Sequence, residues 1–140
     1  MSVNRKVVSS GSDFESMVGY SRAVRVGPLV AVAGTTGVGP ADDITTQTRD
    51  ALRRIEIALE QVGASLTDVV RTRLYVTDIS RWHEVGAVHA EVFGAVRPAS
   101  TMVEVSALIT PDLLVEIEAD AYLASGDPAS GGKLPSGSGG

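Results

Sequence analysis

The chain has 140 residues, is 44% hydrophobic and 21% charged, and carries a formal net charge of −5. That length and balance describe one globular domain, and an acidic chain with no Lys/Arg-rich window argues against a nucleic-acid partner, since phosphate binding needs clustered cations. Cysteine is absent, which excludes disulfides, thiolate catalysis and Cys-based metal sites.

The first residues carry no apolar core of a signal peptide, and the longest wholly apolar run is the five residues 29–33. Neither a leader nor a membrane span is expected, and a cytoplasmic location is the default. Residues 1–4 read as a loose end and 5–9 as a first short strand. Residues 10–19, rich in Ser and Gly, read as a loop ending at Tyr20-Ser21. A second strand follows at 23–26, then a Gly27-Pro28 turn and an antiparallel partner at 29–33. The stretch GTTGVGP (34–40) has three glycines, which permit unusual backbone angles.

Asp42 or Asp43 caps a helix running to about Val62, with Ile44, Ala51, Leu52, Ile55, Leu59 and Val62 recurring at three and four and Gly63 as the stop. Residues 69–77 form the next strand, with Val70, Thr72, Leu74 and Val76 on one face and Arg71, Arg73 and Tyr75 on the other. Asp78 or Ser80 caps a second helix, whose buried side is Trp82, Val85, Val88, Val92 and Phe93.

Residues 97–123 then give two strand-like runs around the turn at 109–112. Thr101, Val103, Val105 and Ala107 alternate with Met102, Glu104, Ser106 and Leu108. In the second run Leu113, Val115, Ile117, Ala119 and Ala121 share one face, opposite Glu116, Glu118 and Asp120. An apolar face of that kind must be buried, and the carboxylate face is solvated or lines a wet cleft. From Ala124 onward Gly, Ser and Pro dominate, so 1–123 reads as the single domain and 124–140 as a flexible tail. The order β-β-β-α-β-α-β-β is an α+β layer with two helices on one sheet face.

The RPASTMVEV start and VEIEA ending of 97–123 resemble the C-terminal signature of the Rid (YjgF-type) imine/enamine deaminases. VGYSRAV (18–24) resembles that family's G-P-Y-S-x-A-V, VAVAGTTG (30–37) its glycine-containing strand end, and DVVRTRLYVTD (68–78) its V-V-K-T-x-x-F-x-x-D strand. The resemblance runs from about residue 20 to 122. It implies a chorismate-mutase-like fold, a mixed six-stranded sheet with two helices on one face, and a homotrimer binding its small-molecule substrate in clefts between subunits.

Carried over position by position, the resemblance makes Glu116 the carboxylate beside the attacking water. Such a group orients water and shuttles protons if its pKa is held near the working pH; the bland alternative is a solvated strand residue. Tyr20 matches a cleft tyrosine, set against the ordinary reading of a core residue with a satisfied hydroxyl. Gly34 and Thr35 lie in a loop that could offer backbone N–H groups to an anion, although a plain turn is the simpler account. Ser100 and Thr101 stand where the family has its substrate-binding arginine and a hydroxyl residue. Arginine there forks onto a substrate carboxylate, whereas serine makes one neutral hydrogen bond. Arg97 or Arg73 is a possible substitute for the missing charge.

His83 and His89 are six apart and point to different sides of their helix. No HExxH or GxSxG occurs, so no metal, no organic cofactor and no serine nucleophile are expected. Three functions compete: a Rid-like hydrolase with altered substrate, a non-catalytic small-molecule-binding or protein-interaction trimer, and the ribonuclease activity implied by old family names. The acidic charge balance speaks against the third.

Overall fold

The computed structural model describes residues 4–124. In chain order they form β1 (Arg5–Val8), α1 (Asp13–Val18), β2 (Ala23–Val26), β3 (Leu29–Thr36), α2 (Ile44–Gln61), β4 (Val69–Val76), α3 (Trp82–Phe93), β5 (Ala99–Glu104) and β6 (Val115–Tyr122). The tail expected from 124 onward and the loose end before Asn4 lie outside the described residues, apart from Ala124. One mixed sheet takes the order β1-β2-β3-β6-β4-β5. All its pairs are antiparallel except β4–β5, which a helical crossover joins in parallel.

The alternation in β6 decides how the layers stack. Val115, Ile117, Ala119 and Ala121 are fully buried, and Val30, Val32, Leu74 and Val76 from the flanking strands join them. Against that face pack Leu52, Ile55 and Leu59 of α2 and Val85, Val88 and Phe93 of α3. Burying a side chain such as Ile117 or Leu59 contributes about 1.5–3 kcal/mol. Asp43 caps α2, accepting from the Thr46 N–H at 2.9 Å, and the helix stops where Gly63 takes φ 84°.

Four expectations need correction. Residues 10–19 are not all loop: Ser12 caps α1, and Gly19 closes it in a left-handed conformation. This helix escapes a periodicity search because it has six residues and its one buried side chain is Glu15, while Phe14, Met17 and Val18 are exposed. Val70 does not join the apolar face, because a register shift between Val69 and Arg71 turns it outward. Trp82 is exposed; its indole lies along the α3 surface near Gly86. The run expected at 101–108 stops as a strand at Glu104, and β4 stands between β5 and β6.

The opposite sheet face is open within one chain. There the Arg73 guanidinium donates to Asp120 at 3.1 Å and lies 3.8 Å from Glu118, and the Tyr75 hydroxyl donates to Glu118 at 2.7 Å. None of the described helices is long and apolar enough to cross a membrane.

Candidate functional site

The site begins with an irregularity in β3. The strand does not end at Ala33 but continues to Thr36, and its register against β6 shifts between Val32 and Thr35. Gly34 sits in that shift. A Cβ there would collide with the Glu116 carboxylate, so glycine is what lets the acid lie directly over the strand. Gly37, just beyond, accepts the α2 backbone equally closely at Gln47. The buried Gln47 amide then fixes the other wall, donating to the Pro40 and Asp112 carbonyls (2.9 and 3.0 Å) and accepting from the Leu114 N–H (2.9 Å).

Between these walls opens a cleft of about 1050 Å³ containing Tyr20, Gly34, Thr35 and Glu116. Burial, and then the charge of Glu118, push the Glu116 carboxyl above the ordinary carboxylate range, with Arg22 pulling the other way. A half-buried acid with a raised pKa keeps a protonated population nearer neutrality than a surface carboxylate does.

Arg22, which the sequence reading passed over, joins these residues. Its Nη1 donates to the Gly34 carbonyl at 2.8 Å and the Thr35 hydroxyl at 2.7 Å, with the Ala33 carbonyl at 3.4 Å. Its Nη2 points to the Tyr20 hydroxyl at 3.4 Å, and its guanidinium carbon stands 5.6 Å from the centre of the Tyr20 ring. On the far side Nε lies 3.9 Å from Glu15. Burial pushes the Glu15 carboxyl up, but hydrogen bonds from Ser10 and Ser9 and the Arg22 charge outweigh it and leave its pKa lowered. The one available signal was the two-residue spacing of Tyr20 and Arg22 at the entry to a strand, which puts both on one side. Thr35 is less free than expected: it is buried, and its hydroxyl donates to the Ala33 carbonyl at 2.7 Å.

Arg97, Ser100 and Thr101 do not line this cleft in one chain. Ser100 is opposite Thr72 in the β4–β5 register and accepts from its hydroxyl at 2.8 Å; Thr72 in turn lies 2.9 Å from His89 Nε2 on α3. That places Ser100 on the helix-covered side of the sheet and Thr101, opposite Arg73, on the open side. Burial holds His89 below the ordinary histidine range, so Ser100 gains no cation from it at neutral pH. Arg97 is exposed at φ 60°, and Arg73 is held by Asp120. Among the described residues no three His, Asp or Glu are grouped to hold a metal.

These features define a small α+β domain whose cleft sets one half-buried acid against a glycine bulge, a tyrosine and an arginine. Residues 10–123 match the Endoribonuclease L-PSP family, and the chain belongs to it. It is 39% identical over 109 residues to a RutC family protein of Pyrococcus abyssi, covering 74% of this chain and 85% of that one. It is 32% identical over 110 residues to the 2-iminobutanoate/2-iminopropanoate deaminase of Salmonella typhimurium, covering 73% and 85%. A crystal structure of Rv2704 from Mycobacterium tuberculosis, described as a member of the YjgF/YER057c/UK114 family, is similar at 76% identity. The TM-score is 0.83, covering 85% of this chain and 99% of that one. The fold class and family expected from the signature residues are both those observed.

Proposed function

We propose that the chain is a Rid-type deaminase that hydrolyses a reactive imine or enamine, releasing ammonia and a carbonyl compound. The observation that carries the reading is Glu116 lying over Gly34 in the cleft with a raised pKa; the named deaminase relative supports it. An enamine first tautomerises to the imine. Water held by the Glu116 carboxylate adds to the C=N carbon and gives a proton to that carboxylate, which passes it to the nitrogen, so that the carbinolamine forms with Glu116 ionised again. Glu116 then carries the carbinolamine hydroxyl proton to the nitrogen, the C–N bond breaks as the C=O bond forms, and imine and water leave as ketone and ammonia. Glu116 acts as base and then as acid, which needs a group that changes protonation state near working pH.

The substrate is altered from those clamped by an arginine at position 100. Ser100 offers one neutral hydrogen bond in place of a charged fork, a difference of roughly 1.5–3 kcal/mol for a charge-assisted bond. We place the working cleft at a homotrimer interface, where β5 of a neighbouring subunit brings Ser100 and Thr101 toward the Glu116 cleft. The acidic charge balance supports a small-molecule rather than a nucleic-acid ligand, and the site uses no metal or organic cofactor. To test the reading, 2-iminobutanoate is generated with an amino-acid oxidase and its decay followed. Decay faster than in buffer is expected; no acceleration, with small acids still binding, would favour the binding-only trimer.

A further inference from the structure

We propose that Arg22, together with the Tyr20 hydroxyl, is the anchor for an acidic group on the substrate, which makes the ligand a carboxylate-bearing imine or enamine held from the β2 side of the cleft. This rests on the deaminase reading of the same cleft and adds a residue that decides what enters it.

A guanidinium carries five N–H donors in a planar fork. Nη1 is occupied by the Gly34 carbonyl and the Thr35 hydroxyl. Nε faces Glu15 at 3.9 Å, beyond hydrogen-bond distance. Nη2 makes one long contact, 3.4 Å to the Tyr20 hydroxyl, which leaves its second N–H without a partner among the described residues, and both side chains line the cleft. The Tyr20 hydroxyl retains its own proton to donate. A charged N–H and a phenol O–H side by side are a donor pair of the kind a carboxylate accepts.

The charge itself calls for an explanation. Arg22 has a side-chain exposure of only 12%, and its Nη1 partners are neutral acceptors that a neutral donor would satisfy equally well. Holding a cation there is unfavourable without a compensating anion. Glu15 compensates in part, but the Oε2 that lies 3.9 Å from Nε is shared with the Ser10 N–H and hydroxyl, and Glu116, which also feels the Arg22 charge, is held toward its neutral form by burial. The other arginines lining the cleft, Arg53 and Arg54, are solvent-exposed and share Asp50 as a counter-ion at 2.8 and 3.1 Å. What sets Arg22 apart from them is its burial beside Tyr20 and Gly34: its side chain is 12% exposed, against 60% and 43% for Arg53 and Arg54. One charged N–H grips less firmly than a bidentate fork, which fits an enzyme whose position 100 is serine.

The test uses non-reacting ligands and the full chain. Binding of 2-oxobutanoate and of its neutral analogue 2-oxobutanamide is titrated against wild type, Arg22→Lys and Arg22→Gln, with thermal melts confirming folding. Wild type should bind the acid about tenfold or more tightly than the amide, as expected when one neutral bond is exchanged for a charge-assisted one. Arg22→Gln should bring the two within about twofold, and Arg22→Lys should retain part of the preference. A wild type that binds the acid no better than the amide, or a folded Arg22→Gln that keeps the preference, overturns the proposal. If Arg22→Gln does not fold, the guanidinium nitrogen signals of wild-type Arg22 decide: they should move with the acid and not with the amide, and signals unmoved by the acid overturn it. Because turnover plays no part, an acid preference that depends on Arg22 in a protein without imine hydrolysis would sink the deaminase reading alone.

Discussion

Glu116 is lifted above the ordinary carboxylate range first by burial and then by the Glu118 charge, against the pull of Arg22. A carboxyl whose folded pKa is raised favours the folded state fully below its ordinary pKa, and that advantage disappears as pH rises through the folded value. Glu116→Gln should therefore melt at a higher temperature than wild type at neutral pH and at the same temperature near pH 3; thermal scans at the two pH values check this. Gly34→Ala tests the same contact from the other side. Its methyl would displace the Glu116 carboxylate, a flexible group that can swing away, so stability should change little. A misplacement of about an ångström at the reacting centre should lower kcat by about ten- to a hundredfold. Ser100→Arg should raise kcat/KM on small 2-imino acids by about tenfold to a hundredfold, since roughly 1.5–3 kcal/mol is regained at 1.4 kcal/mol per decade. No gain would mean that β5 does not reach the cleft.

At the scale of elements, the Gln47 side chain connects α2 to the loop before β6 and so sets where Glu116 begins. Gln47→Leu would strand the Pro40 and Asp112 carbonyls and the Leu114 N–H, and should destabilise the fold by about 2–4 kcal/mol in urea titrations. The long regular elements were legible in the sequence because each repeats a simple period. β6 alternates strictly, and α2 recurs at three and four between Asp43 and Gly63. What escaped notice is where the period breaks. The register shifts at Val69/Arg71 and Val32/Thr35 depend on pairing with β6, a strand far away in sequence. Tyr20, Gly34 and Glu116 were found through the motif resemblance. Arg22 was not, because its meaning lies in the strand end it reaches across space. Ser100 was singled out through the motif resemblance, but its place on the helix-covered side of β5, bonded to Thr72, follows from sheet order that the sequence leaves open.

For the whole molecule, the open sheet face is the feature still without a partner. Arg73, Tyr75, Glu118 and Asp120 are linked by short polar contacts across β4 and β6. A homotrimer would cover that face and bring β5 of one subunit to the cleft of the next. Light scattering should then give about three times the chain mass of 14.5 kDa, and a value near the single-chain mass would remove the inter-subunit cleft from the account. The central claim, that the cleft over Gly34 performs imine hydrolysis through Glu116, is tested most directly by ammonia release from 2-iminobutanoate by wild type and Glu116→Gln side by side. Wild type should exceed the spontaneous rate, and Glu116→Gln should fall back to it while staying folded. A folded Glu116→Gln that releases ammonia as fast as wild type would contradict the account.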